Sequence, residues 1–503
     1  MDSPLANWFS ALVTSAWMVF FVLLIWRRKK NTLSLPPGPP AWPLVGNLFQ
    51  LTKKTNESFF ALSRQYGPLM TVYLGMKPTV VVSSAAMAKE VLKTHDQIFS
   101  GRTIIQSVQT VSVHKSSIVW AQNGTYWRKL RRISNTELMS PKRLRALQHL
   151  RTDQVSEMIR FIYEERGTSV NIARTLIYTG LNLVGKMIFS TKVYDANNPD
   201  SVEFTNALSS WLKTVVKPNL ADIFPFLRFL DLQGVRRDLT MYSKPVYKYL
   251  DEFINNRLAR SSKEMGGHER EAEKDFLDVL LEMRSDDLSL IDIRYVIFEL
   301  FMAGSDTTGS TVEWAMAELI RNPRIMKRAQ QELEETVGRN RSVEESDIEN
   351  LPYLHAVVKE IFRLHPVIPL LVPHRADRSC EIGGFIIPQH TQVIINVWAL
   401  GRDPAVWKDP SKFMPERFLE GEKCKIEYKG QDFDLLPFGA GRRICMGLHL
   451  ADKMVHIVLA SLLHSFDWTV NEEMDMDDTL GLVLKKRAEL KAIPTPRLNK
   501  NIY

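Results

Sequence analysis

The sequence predicts a mainly helical protein with a small β portion, and three observations point there. Segments 125–140, 143–165, 171–187, 202–215, 239–262, 274–284, 289–320, 324–337, 353–364 and 447–465 all carry apolar residues at the spacing of one helix face. Strand-like runs are few: "LMTVYLG" with "TVVVSS" across "MKP", and "CEIGGFIIP" with "QVIINVWAL". No linker-like stretch, charge run or repeat interrupts the chain after residue 45, so its 503 residues, 45% hydrophobic and 24% charged, are expected to share one large core.

The chain opens on "WFSALVTSAWMVFFVLLIW", Trp8 to Trp26, which carries no charge. At about 1.5 Å per helical residue it nearly crosses a hydrocarbon layer of ~30 Å. Only Asp2 is charged before it, whereas Arg27 to Lys30 follow at once, which by the positive-inside rule leaves the body of the protein cytosolic. Residues 1–30 are therefore expected to be a single-pass transmembrane helix and membrane anchor in the lipid bilayer. The alternative, a cleaved signal peptide, calls for basic residues first and a shorter apolar core. Residues 31–45 form a proline-rich hinge, stiff through "LPPGPP" because proline fixes φ and lacks an amide hydrogen. Residues 46–503 are the expected catalytic body.

Composition excludes several classes. The formal charge of +8 suits an acidic partner or an anionic membrane surface, and no zinc-finger, RNA-binding or basic-zipper signature supports nucleic acid. Cys380, Cys424 and Cys445 are odd in number and widely spaced, which fits neither a disulfide framework nor a zinc site.

The longest helical pattern runs from about Leu288 to Arg321 and stops at Asn322-Pro323. In its middle, "AGSDTTGS" (303–310) gathers poor helix formers. Either hydroxyls bond back to carbonyls one turn earlier and loosen a continuous helix, or one helix ends at 304 and Asp306 caps another. The stretch "PFGAGRRICMG", 437–447, sets Cys445 among glycines that allow tight turns and behind Arg442 and Arg443, which favour a thiolate. A buried thiolate needs a cation, as in haem ligation, or else serves as a nucleophile with a histidine base, for which His449 lies four residues on.

Phe438 to Gly447 resembles the haem-binding loop F-x-x-G-x-R-x-C-x-G of the cytochrome P450 family at every fixed position. "AGSDTT" (303–308), "EIFR" (360–363), "PERF" (415–418) and "WRKLR" (127–131) resemble the family's other motifs, in the family's order, and the likeness covers essentially the whole chain. The wording is similar to plant microsomal members that modify terpenoids and alkaloids. One departure is Met446, where many plant members have proline.

The resemblance implies a cytochrome P450 fold, haem b as cofactor and Cys445 as axial ligand of the iron. It implies Asp306 and Thr307 as water-holding, proton-relaying residues. Trp127, Arg131, His374 and Arg443 are implied as partners of the haem propionates, and Phe438 as a residue packed near the sulfur. Glu360, Arg363 and Arg417 are implied as a structural triad behind the haem loop; the first two stand one helical turn apart, so their side chains can meet. No G-x-G-x-x-G follows a strand, so electrons are expected from a separate protein, NADPH–cytochrome P450 reductase, at the endoplasmic reticulum membrane. The expected reaction inserts one oxygen atom from O2 into a small apolar substrate, a terpenoid first and an alkaloid or phenolic second. The family's pocket segments are mostly aliphatic here and offer Ile104, Val119, Phe298, Ala303, Val367, Leu371 and Leu482, with His114, Lys115 and Glu299 as the charged exceptions. A non-oxygenating haem-thiolate isomerase or lyase, and a haem-binding sensor without turnover, are the rival classes.

Overall fold

The apolar run Leu290–Arg321 becomes one helix of 32 residues through the middle of the computed structural model, which describes residues 35–264, 274–284 and 288–503 together with Trp8, residues 13–18 and Phe20. Ser289 starts it with a capping box: its hydroxyl accepts the Asp292 N–H at 3.2 Å while the Asp292 carboxylate accepts the Ser289 N–H at 2.8 Å. Asn322 and Pro323 end it. Residues 303–310 do not break it. The Thr307 hydroxyl donates to the Ala303 carbonyl and the Ser305 hydroxyl to that of Phe301, each at 2.7 Å, so both are satisfied inside the helix. Packing on either side outweighs the weak local propensity, and no new helix starts at Asp306.

The elements that build the site are five helices, α1 (Thr125–Ser134), α2 (Ile172–Phe189), α3 (Leu290–Arg321), α4 (Pro352–Leu364) and α5 (Leu448–Ser465), and seven strands. The strands are β1 (Leu69–Leu74), β2 (Lys77–Val82), β3 (Gly101–Arg102), β4 (His374–Arg375), β5 (Gln392–Ile395), β6 (Asp478–Leu480) and β7 (Leu484–Lys486). Helices α2 and α5 pack against α3, and their apolar faces, with Phe298, Phe301 and Trp314 of α3, form the main core. Fully burying each such side chain stabilises by roughly 1.5–3 kcal/mol.

The small sheet has the order β1-β2-β5-β4-β3. Strands β1 and β2 form the expected hairpin, Leu69 opposite Val82. The second expected pair divides differently. Gly383 and Gly384, at φ of 57° and 80°, close a turn within "CEIGGFIIP", so Cys380–Ile382 pairs with Phe385–Ile387. Strand β5, left without that partner, joins the main sheet parallel to β2 and antiparallel to β4.

The prolines at 36–40 lie along β1 rather than standing free. Thr71 N–H donates to the Pro37 carbonyl at 2.9 Å, and Asn47 Nδ2 to that of Pro40 at 3.0 Å. The apolar stretch Trp8–Trp26 lies largely outside the described residues, and among the described residues no helix is long and apolar enough to cross a membrane.

Candidate active site

The Cys445 loop joins the triad region to α5 by a tight path. Gly439 and Gly441 adopt φ near +65° (67° and 66°), and a Cβ on Gly441 would lie 1.9 Å from the Leu92 carbonyl oxygen, so only glycine fits there. The Cys445 N–H closes the loop on the Phe438 carbonyl at 2.9 Å. The sulfur opens on an internal cavity, which is why Cys445 is accessible although it lies deep in the protein. Burial pushes its thiol up; the Gly447 N–H and the Arg131 guanidinium pull the other way without cancelling it. This corrects the expectation that Arg442 and Arg443 favour the thiolate: Arg442 pairs with Asp96 at 3.2 Å, and Arg443 lies over Trp127 with its charge 4.1 Å from the ring centre. No hydrogen bond joins His449, exposed on α5, to the sulfur among the described residues, so no nucleophile–base pair forms.

The cavity, of about 330 Å³, lies between the α3 segment 299–309, the Cys445 loop, residues 118–120, the segment 367–374 and the turn 482–483. Val119, Ala303, Thr307, Val367, Leu371 and Leu482 are on its wall with Arg131, His374, Phe438, Arg443 and Cys445. Four of the residues proposed to meet haem or substrate are not, and one of them is Trp127, buried behind the wall. Phe298 turns into the core, 4.9 Å from the Trp211 ring, because it lies more than a turn's fraction round α3 from Ala303. Ile104 packs against the core outside the cavity. Asp306 faces away from the wall and pairs with Lys485 of β7.

At one edge of the cavity positive charge accumulates with no carboxylate in ion-pair contact among the described residues, although Glu299 on the same wall attracts Arg443. Strands β3 and β4 set Arg102 opposite His374, and Arg131 and Arg443 stand beside them on the same wall. None of the three guanidiniums has a carboxylate ion partner among the described residues. Burial first, then the charges of Arg443 and Arg131, hold Arg102 well below the ordinary arginine range. Their donors meet backbone carbonyls. Arg102 Nε bonds Val119 at 3.1 Å, Arg443 bonds Ser100 and Ala121 at 2.8 and 2.6 Å, Arg131 bonds Ile444, and His374 Nδ1 bonds Phe99 at 2.7 Å. The Trp127 indole N–H donates to the Ile118 carbonyl at 2.9 Å. A largely apolar slot with guanidiniums that have no ion-pair partner at its rim and a cysteine sulfur at its floor fits a flat, apolar, dianionic macrocycle whose metal takes a thiolate ligand. Cys445 would ligate haem iron, with the arginines and His374 beside its acid groups.

Arg102 is the residue that sequence reasoning missed. It stands alone in "FSGRT", and only the β3–β4 register brings it to His374. Glu299, one of the charged exceptions expected in the pocket segments, is on the wall. It accepts the Ile118 N–H at 2.6 Å and the Ser117 hydroxyl, and burial raises its carboxyl to about 7 against the pull of those donors and of Arg443. His114 and Lys115 are not on the wall.

Behind the loop, Glu360 and Arg363 of α4 form a doubly hydrogen-bonded pair at 2.7 and 2.8 Å, and Arg417 reaches the same carboxylate at 3.1 Å. Glu360 and Arg363 are buried. The remaining Arg363 donors tie down the carbonyls of Gly401, Pro410 and Lys412, so the group staples α4 to the segment that leads into the loop.

Residues 36–492 match the family model for cytochrome P450. The chain is 44% identical over 500 residues to cytochrome P450 76C2 of Arabidopsis thaliana, covering 97% of both chains. It is 41% identical over 480 residues to geraniol 8-hydroxylase of Swertia mussotii, covering 93% of this chain and 94% of that protein. With the geraniol 8-hydroxylase of Catharanthus roseus it shares 40% over 479 residues, covering 93% and 95%. Cysteine loop, arginine rim, buried triad and these likenesses agree: the chain belongs to the cytochrome P450 family and is a haem-thiolate monooxygenase.

Proposed function

We propose that this monooxygenase hydroxylates a small terpenoid, working from a membrane anchor with electrons from NADPH–cytochrome P450 reductase. The observation that carries the substrate class is the cavity wall above Cys445, which is aliphatic at Val119, Ala303, Val367, Leu371 and Leu482 and whose one acid among the described residues, Glu299, is engaged by backbone and hydroxyl donors. Such a wall recognises a compact apolar molecule by shape and leaves no free acid for the cationic nitrogen of an alkaloid. The relatives named geraniol 8-hydroxylase support the same class.

Bound haem, held through Cys445, would supply O2 activation and oxygen insertion. The chain's own residues do the rest. Apolar side chains exclude water and orient the substrate; the Thr307 hydroxyl, one helix position from Asp306, is set on the wall where a proton must arrive. Anchoring at the endoplasmic reticulum is supported by the uncharged stretch 8–26 and by exposed apolar side chains where the chain emerges from it. Trp42 and Met76 lie on segments that meet at Gly46, and Phe226 and Phe229 follow Ile223, which abuts Gly75.

The test is reconstitution with reductase in vesicles, screening geraniol and other monoterpenoids against alkaloids and phenolics for a low-spin to high-spin shift. Product must form in step with NADPH consumed. Conversion without NADPH would indicate an isomerase or lyase; binding without conversion would indicate a sensor. A stronger response to alkaloids would overturn the substrate class.

A further inference from the structure

Tyr428 stands between the Cys445 loop and the helix that follows it. The turn that carries it is closed by the Glu427 N–H on the Asp432 carboxylate at 2.7 Å and is tied to α4 by Lys359 and Glu427 at 3.1 Å. Two residues on, a Cβ on Gly430 would lie 2.7 Å from Ile444 Cδ1 and 3.3 Å from the Gly439 carbonyl oxygen, so the turn lies directly against the loop. The buried Tyr428 ring forms a triangle with Phe362 of α4 and Phe438 of the loop. Ring centres are 4.9 Å apart for Tyr428 and Phe362, 5.3 Å for Phe362 and Phe438, and 6.1 Å for Tyr428 and Phe438. Phe438 in turn supplies the carbonyl that accepts the Cys445 N–H at 2.9 Å.

A phenylalanine would complete this triangle equally well. The phenol adds one thing, a bond from its hydroxyl to Asp452 Oδ1 of α5 at 2.6 Å. Asp452 is itself fixed: His456 Nδ1 lies 3.1 Å from the same oxygen, and Lys429 Nζ lies 3.7 Å from the other. Burial, then the Asp452 charge, push the Tyr428 phenol up, so its proton stays on the oxygen and the bond keeps one direction. An aromatic contact lets a ring slide, whereas a hydrogen bond to a fixed acceptor sets its place.

We propose that Tyr428 is a positioning residue for Cys445: through its bond to Asp452 it holds Phe438 in place, and so keeps the shell around the sulfur dry and the donors that reach it fixed. The brace concerns the iron ligand, so it holds for any substrate and does not rest on the terpenoid reading. Reduction at a thiolate-bound haem adds one negative charge, and water or amide donors near the sulfur stabilise that charge. Without the phenol hydroxyl, Phe438 is free to shift and water reaches the sulfur. The iron then becomes easier to reduce.

The experiment uses the full-length holoenzyme and its Tyr428→Phe, Asp452→Leu and combined Tyr428→Phe/Asp452→Leu variants, without substrate. Each is titrated with redox mediators, and the ratio of reduced to oxidised haem is read from the absorption at the potential where the parent is half reduced. Tyr428→Phe and Asp452→Leu should each raise that ratio about three- to tenfold, a tenfold rise being ~59 mV for one electron. The combined variant should equal either single one, because both remove the same bond. The thiolate–haem–CO band should persist in all three. A ratio unchanged or lowered in Tyr428→Phe overturns the proposal, whatever happens to its thermal midpoint, and leaves the bond a staple of the turn. Shifts that add in the combined variant also overturn it, since the carboxylate charge and the phenol would then act separately. If Asp452→Leu takes up no haem, Asp452→Ala takes its place in the same comparison.

Discussion

Glu299 of α3 accepts the backbone N–H of Ile118 at 2.6 Å, while the Ile118 carbonyl accepts the indole N–H of Trp127 at 2.9 Å. A single peptide strap is thus gripped by a carboxylate on one side and by the haem-edge donors on the other. The grip has a pH signature. Burial raises the Glu299 carboxyl from 4.5 to about 7, so the folded protein binds its proton more tightly than the unfolded chain does. Its contribution is therefore fully present below pH 4.5 and is lost as pH rises through about 7, a span worth about 3 kcal/mol. Glu299→Gln should flatten this fall, seen as a smaller pH dependence of thermal midpoint between pH 5 and 7 relative to the parent. Equal slopes in both proteins would refute the assignment.

Cys445→Ser should abolish the thiolate–haem–CO absorption and activity together, because among the described residues no second cysteine lines the cavity. Cys380→Ser and Cys424→Ser should leave the spectrum intact. The CO-difference spectrum of reduced protein decides both.

Thr307→Ala removes a hydroxyl on the cavity wall that bonds only the Ala303 carbonyl within its own helix. Substrate binding should stay near its parent value while NADPH use uncouples into peroxide several-fold. The ratio of product to NADPH measures it, and an unchanged ratio counts against the relay.

Arg363→Ala would leave Glu360 buried with Arg417 as its remaining guanidinium and strip donors from three carbonyls. Breaking a buried pair in this way costs about 3–5 kcal/mol, so the variant should unfold at much lower denaturant and release haem as it does. Following the haem absorption and helical circular dichroism together would show it.

Arg128 and Arg132 are exposed on α1, whose Arg131 is on the cavity wall and whose buried Trp127 bonds the Ile118 carbonyl. Reversing both to glutamate should cut the reductase-driven rate several-fold, and the loss should shrink as salt rises past a Debye length of ~10 Å at 0.1 M. Turnover supported by added peroxide should be spared; equal loss in the two assays would refute a docking face.

Much of this molecule is written locally. Helices announce themselves by the period of their apolar residues, and every segment expected to be helical contains helix, with ends shifted by a few residues. The Glu360–Arg363 pair follows from one helical turn, and the Cys445 loop from glycines whose φ no other residue tolerates cheaply. These properties depend on neighbours in sequence, so a sequence carries them.

What only the tertiary structure decided depends on elements far apart in the chain. Propensity alone left a break at 304 open, but burial of α3 on several sides made it continuous. Strand β5 left its expected partner for β2 and β4 because a glycine turn satisfied the nearer strand first. Arg102 reached the haem edge through pairing with β4, Phe298 turned from the cavity into the core, and Asp306 met Lys485 across 179 positions of chain. Side-chain direction is set by helix phase and strand register. Both are fixed by which surfaces bury together, so residue type and motif named the chemistry while packing chose which atoms face it.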